Sequence, residues 1–287
     1  MALAASGAIA RQAEVEPASL MTTPVVLLNG ATPVLQGTGF FFASTDSEDR
    51  PQTVFLVTNY HVVTGHAPGA PGNAMGNQIE FIFHEDRLTL AKVRRIVLDL
   101  YDINGKPKWV SSNVYTDADV VLLPIPASKY AEIQPYVFIE AHTRGDIKIR
   151  PTSGATLVGY PYGLSDTAHF LPVWKTGHVA TEPGIDFDDR PVFLVDVSAF
   201  PGMSGSPVLA AENGIYETEE GPMRTGRVLK LLGVFSAMPF VREMKPSDPT
   251  NAFSEPHAQE TSLQLGYVWK SALIAQLAAS YKGTPGS

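Results

Sequence analysis

The feature that most restricts this chain's fold is a rhythm of short β-rich runs, each cut by Gly, Pro, Asn or Asp, with no regular helices between them. About eleven such runs stand out: Val25 to Leu28, Gly39 to Ala43, Val54 to Thr58, Gln78 to His84, Leu88 to Leu98, Val120 to Pro124, Ala155 to Gly159, Val173 to Ala180, Val192 to Val197, Ser206 to Ala210 and Val228 to Ala237. A parallel α/β sheet would need crossover helices between strands, so the pattern predicts an all-β barrel or sandwich. Two segments break the rhythm. Ser128 to Gln134 reads as a short helical turn, and Tyr267 to Tyr281 as a closing helix whose Trp269, Leu273, Ile274, Leu277 and Tyr281 share one face against the β core. Polar or Gly- and Pro-rich stretches at Thr64 to Asn77, Asp99 to Thr116, Glu212 to Thr225 and Phe240 to Ser262 are expected as surface loops.

The stretch from Pro124 to Pro151 marks the boundary between two halves. This divides the chain into a flexible N-terminal segment (1–22), a first barrel (23–135), a second barrel (136–265) and a closing helix with its tail (266–287).

Composition removes several classes of function. With 287 residues, 44% of them hydrophobic, the chain can bury a substantial core. A net charge of −8 argues against a nucleic-acid partner, which calls for clustered Lys and Arg against phosphates. The lack of any cysteine removes disulfides, thiolate catalysis and sulfur-ligated zinc, and is compatible with a reducing compartment. The N-terminus carries its first basic residue only at Arg11 and lacks a secretory signal's apolar run, and no stretch approaches the ~20 apolar residues of a membrane span. The expectation is a protein of the cytoplasm with no membrane partner.

There is no phosphate loop and no His-Glu-x-x-His helix, and Gly37-x-Gly39 lacks the third glycine of a dinucleotide fingerprint, so no cofactor and no metal are expected. His84-Glu85-Asp86 reads as a solvated strand end, Glu217 to Glu220 as a hairpin tip, and Trp109, Trp174 and Trp269 as core or barrel-edge aromatics.

The most specific motif is Gly202-Met203-Ser204-Gly205-Ser206-Pro207. Its glycines allow a tight turn that presents backbone N–H groups and leaves the Ser204 oxygen exposed, although a plain turn between strands would carry the same letters. A serine hydroxyl needs a base. Of the seven histidines, His61 is best placed, just past the apolar run Phe55-Leu56-Val57, where a strand end would hold the ring rigidly. A carboxylate must then orient the imidazole. Asp119 immediately precedes an apolar strand, whereas its rival Asp117 lies further away and looks more solvated.

His61, Asp119 and Ser204 occur in the order His, Asp, Ser, and the sequence resembles the trypsin-like serine peptidases, particularly the bacterial trypsin-like and HtrA-type peptidase domains. The resemblance is carried by Gly37-Thr38-Gly39-Phe40, Thr58-Asn59-Tyr60-His61-Val62-Val63, Asp119-Val120-Val121-Leu122-Leu123, Gly159-Tyr160-Pro161, Pro201 to Pro207 and Leu232-Gly233-Val234-Phe235-Ser236. It spans about Val25 to Tyr281. It implies a double β-barrel of the chymotrypsin type with a C-terminal helix. His61 and Asp119 would come from the first barrel and Ser204 from the second. Ser204 would attack the scissile carbonyl of a protein or peptide substrate, with His61 as base and then acid, Asp119 orienting His61, and the N–H groups of Gly202 and Ser204 holding the oxyanion.

The chain departs from the family at three places. Met203 stands where secreted trypsins carry an Asp that pairs with the freed amino terminus, so N-terminal activation is not implied. Ser198, six residues before Ser204, replaces the acid that selects Arg or Lys. With a largely apolar pocket wall at Ser236-Ala237-Met238, this implies cleavage after small or hydrophobic residues. Because few residues follow Tyr281 in this sequence, the peptide-binding PDZ domain of HtrA-type enzymes is not expected.

Two other readings share the Ser204 turn. One is a catalytically silent or partner-activated binding module of this fold, and an unregulated cytoplasmic protease would indeed call for a regulatory partner. The other is an α/β-hydrolase using Ser204, Asp248 and His257, disfavoured by Ser206 in the final Gly position of its motif and by the lack of alternating helices.

Overall fold

Short apolar runs joined by tight turns pair antiparallel, because a parallel return would need a long crossover. In the computed structural model, which describes residues 14–48, 50–245 and 257–283, they build two curled, almost wholly antiparallel sheets. The first contains β1 (Thr22–Asn29), β2 (Thr32–Thr45), β3 (Pro51–Thr58), β4 (Gln78–His84), β5 (Val93–Asp99), β6 (Val121–Pro124) and β7 (Phe138–Ile139). Its order is β5-β4-β1-β2-β3-β6, with β7 parallel to β2. The segment after β5 turns back onto β6, where Val110 and Leu122 exchange hydrogen bonds of 2.8 and 3.0 Å.

The second half contains β8 (Gly154–Gly159), β9 (Val173–Val179), β10 (Val192–Asp196), β11 (Pro207–Glu217), β12 (Met223–Phe235), β13 (Phe240–Lys245), β14 (His257–Ser262) and β15 (Leu265–Lys270). Six of these close a barrel in the order β10-β15-β12-β11-β8-β9, and β13 pairs with β14 alone. The helices are α1 (Pro17–Met21), α2 (Tyr60–Thr64), α3 (Glu140–Thr143) and α4 (Ser271–Ser280). Among the described residues no helix is long and apolar enough to cross a membrane.

Each half has its own apolar interior, and a third cluster ties the halves together. In that cluster Phe40, Phe55, Val57 and Leu122 of the first sheet meet Val158, Leu209, Leu231 and Trp269 of the second, and Leu273, Ile274 and Leu277 of α4 pack onto both. The junction that carries the site is therefore part of the core.

Several elements differ from the sequence reading. The stretch from Glu212 to Thr225 is mostly strand, because β11 and β12 pair from Pro207–Val234 out to Glu217–Met223 as a long ribbon. Its outer part is exposed on both faces, so burial leaves no alternating apolar signal there. Within Phe240 to Ser262, β13 and β14 likewise pair instead of forming an open loop. The segment from Tyr267 begins as strand β15 and becomes helical only at Ser271, since Val268 and Trp269 are buried through sheet pairing with β10 and β12. The run from Leu88 becomes strand only at Val93, and the turn expected at Ser128 to Gln134 is a 3-10 turn over Ala127–Lys129. Residues 1–13 lie outside the described set, and Pro17–Met21 is a helix with Ala18, Ser19 and Leu20 buried. His84 is not solvated: it is buried, with Nε2 2.8 Å from the His169 carbonyl.

Candidate active site

β3 is buried to its end and runs into Asn59, from which α2 starts, so His61 sits one residue into a helix anchored on the first core. Gly65, at φ 82°, ends α2 and donates its N–H to the His61 carbonyl at 2.8 Å. A left-handed residue is needed there to stop the helix after one turn. Val62 and Val63 point inward, leaving the His61 ring half-exposed.

Asp119 lies just before β6 and is buried. Its Oδ2 is 2.6 Å from His61 Nδ1, and its Oδ1 accepts the His61 backbone N–H at 2.9 Å. The Ser236 hydroxyl donates to Oδ2 at 2.5 Å, and the Asn59 amide holds the Asp119 backbone carbonyl at 2.6 Å. Burial pushes the Asp119 carboxyl up, but its hydrogen bonds from and electrostatic attraction to His61, with the Ser236 hydroxyl, outweigh it and hold the group below the ordinary carboxylate range. Asp117 is exposed and has Arg190 at 3.9 Å.

Ser204 rides on a turn built by its own sequence. Phe200-Pro201-Gly202-Met203 closes with the Met203 N–H on the Phe200 carbonyl at 3.1 Å, and Gly202 has φ 92°. Pro followed by a positive-φ glycine is the signature of a type II turn. Met203 is fully buried among the apolar residues of the second barrel, so packing anchors this position.

Thr38 of β2 clasps the same turn from the other half. Its N–H donates to the Ser204 carbonyl at 2.8 Å and its hydroxyl to the Gly202 carbonyl at 2.7 Å. Gly205, at φ 89°, has no room for a side chain, since a Cβ would stand 1.9 Å from the Thr38 carbonyl oxygen. With both carbonyls drawn inward, the N–H groups of Gly202 and Ser204 have no intramolecular acceptor among the described residues. Two adjacent uncommitted donors of this kind suit a developing oxyanion.

Ser236 links two of the three residues singled out in the sequence, and the third, His61, is held by Asp119. The Ser236 hydroxyl is on Asp119, and the Ser236 carbonyl accepts the Ser204 hydroxyl at 3.0 Å. Gly37 is wedged between Val62 and the Ser204 carbonyl, where a Cβ would lie 2.9 and 3.3 Å from them. His61 and Asp119 are in direct contact, whereas the Ser204 proton is aimed at Ser236 and not at His61. Of the expected pocket residues, Ser198 and Ala237 are exposed, Ser236 is buried and Met238 is half-buried against the second core. Asp248, invoked by the hydrolase reading, lies outside the described residues, as does the side chain of His257. The parts played by Ser236, Asn59 and Thr38 were not foreseen. Each stands inside a recognised motif, but its role depends on a partner at least 20 residues away in sequence.

Two curled sheets with a histidine–carboxylate pair and a half-buried serine turn define the architecture of a chymotrypsin-like serine peptidase. The family model for the trypsin-like peptidase domain matches residues 37–215, more than half of the chain, and the protein belongs to that family. It is a serine-type peptidase, a hydrolase whose substrates are peptides or proteins. No curated protein matches it significantly. Similar solved structures include the inactive form of the Rv3671c protease of M. tuberculosis (17% identity, 93% of this chain and 91% of that one, TM-score 0.44). Others are a serine endoprotease from Yersinia pestis (16%, 93% and 69%, 0.45) and the thermostable serine protease AL20 from an extremophilic microorganism (13%, 92% and 98%, 0.45).

Proposed function

We propose that this peptidase is an endopeptidase that cleaves through Ser204, His61 and Asp119 by way of an acyl-enzyme. The observation that carries the reading is the 2.6 Å contact between His61 Nδ1 and Asp119 Oδ2, which fixes the tautomer and leaves Nε2 as the base. The Ser204 oxygen bonds to the scissile carbonyl carbon as its proton passes to His61 Nε2. The carbonyl oxygen, now negative, takes hydrogen bonds from the N–H groups of Gly202 and Ser204. The C–N bond then breaks as His61 returns the proton to the leaving amine, and water repeats the sequence to release the acid. Ser198, Ser236, Ala237 and Met238 bring no charge to the pocket, which suits a small or hydrophobic residue on the acyl side of the bond.

A second reading is favoured by one contact. Because the Ser204 hydroxyl donates to the Ser236 carbonyl, the resting site needs a rotation about one side-chain bond before proton transfer, and a regulatory partner or the substrate itself would supply that step. Incubation with unfolded casein and a peptide library, read by mass spectrometry, tests both readings. Cleavage after small or apolar residues, lost in Ser204→Ala and His61→Ala, is expected. Cleavage that survives Ser204→Ala would refute the assignment, and cleavage that begins only after a lag or with an added protein would favour the partner-activated form.

A further inference from the structure

We propose that Tyr162 is a positioning residue: its backbone N–H, presented from a left-handed conformation, holds the Pro201–Gly202 peptide so that the Gly202 N–H stays open to the oxyanion. The proposal deepens the reading of Ser204 as a nucleophile and rests on it.

The need for such a device follows from the turn itself. Pro201 fits the first central position of either a type I or a type II turn, and glycine accepts the second position of both. The two types differ by a rotation of the central peptide through roughly 150°. In type II the Gly202 N–H is available, while in type I the Pro201 carbonyl takes its place and the oxyanion would meet another oxygen. Glycine at 202 permits the productive turn without enforcing it.

Selection is supplied from the neighbouring turn at Pro161–Gly163. The Tyr162 N–H donates to the Pro201 carbonyl at 2.6 Å, which fixes that oxygen on the side away from the Gly202 N–H. The approach is close, since a Cβ on Gly202 would stand 2.5 Å from the Tyr160 carbonyl oxygen and 2.9 Å from the Tyr162 nitrogen. Tyr162 pays for this geometry with φ 53° and ψ 26°, a region that non-glycine residues rarely occupy. Such outliers persist where the surroundings over-determine them, and they gather at functional sites.

Here the surroundings are specific. Gly163 donates to the Tyr160 carbonyl at 3.0 Å and Leu164 to the Pro161 carbonyl at 2.8 Å. The buried Tyr160 hydroxyl is tied to the Phe170 carbonyl at 2.9 Å. Tyr162 as a residue is 70% exposed and its ring lies 5.9 Å from the Phe200 ring, so it covers little core. Its backbone is thus the better-connected half of the residue.

The test is the pre-steady-state burst of p-nitrophenol from p-nitrophenyl acetate, followed across neutral pH for the wild type, Tyr162→Val, Tyr162→Asn and Tyr162→Gly. Valine strongly disfavours the left-handed region, so its acylation plateau is expected to fall about tenfold. Asparagine and glycine also lack the ring but adopt that region readily, and are expected to restore most of the rate. The pH midpoint should be the same in all four, because His61 and Asp119 are untouched.

A valine variant that acylates as fast as the glycine variant would overturn the latch. So would asparagine and glycine variants as slow as valine, since the ring would then be what matters, or a midpoint that moves with the plateau. Where Tyr162→Val does not fold, Tyr162→Ala against Tyr162→Gly makes the same comparison. A folded wild type with no burst would overturn the nucleophile reading and the latch with it, whereas a wild-type burst shared equally by all variants would overturn the latch alone.

Discussion

A carboxylate buried as Asp119 is would take up a proton unless its lone pairs were filled, and here His61 and Ser236 fill them. Because its folded pKa is depressed, its contribution to stability is present above the unfolded carboxyl's value near 3.9 and is lost as pH falls through the lower folded value. The melting temperature of the wild type should therefore drop in acid more steeply than that of Asp119→Asn, and parallel curves would contradict the linkage. At neutral pH the same variant should lose about 10⁴ in kcat, because an amide favours the wrong His61 tautomer. Met203→Asp places a charge where the wild-type side chain is fully buried, and is expected to cost several kcal/mol of stability, measured by urea unfolding. His61, Asp119 and Ser204 stand out in the sequence as candidates because each sits where an apolar run meets a turn. Thr38 and Ser236 are not, since a hydroxyl inside a strand-like run has no local sign of the carbonyl or carboxylate it will reach across the molecule.

Elements are legible where one face is buried and the other wet. β4 matches its sequence reading at both ends, whereas the outer ribbon of β11 and β12, wet on both faces, is not visible as strand. β15 is hidden for a different reason. It runs into α4 without a turn residue, so the apolar residues of strand and helix merge into one apparent stripe. α4 itself buries Leu273, Ile274 and Leu277 against both halves. Ile274→Ala should cost about 2–5 kcal/mol in urea unfolding, and a loss below 1 kcal/mol would show that the helix is not part of the shared core.

At the scale of the whole molecule, the proposed site exists only where the halves meet. Thr38 from β2 grips the serine turn, Ser236 joins Asp119 to Ser204, and the cluster shared with α4 holds the junction closed. A junction of that kind couples folding of one half to the other. Unfolding followed by tryptophan fluorescence and by far-ultraviolet circular dichroism should give coincident transitions, and two separated transitions would contradict a common core.

The central claim is that Ser204 is a nucleophile activated by His61 and Asp119. Intact mass of the purified protein after reaction with a fluorophosphonate probe tests it most directly. The account predicts one adduct per chain, located on Ser204 and abolished in Ser204→Ala and His61→Ala, while a folded wild type that stays unlabelled, or a label that survives Ser204→Ala, would contradict it.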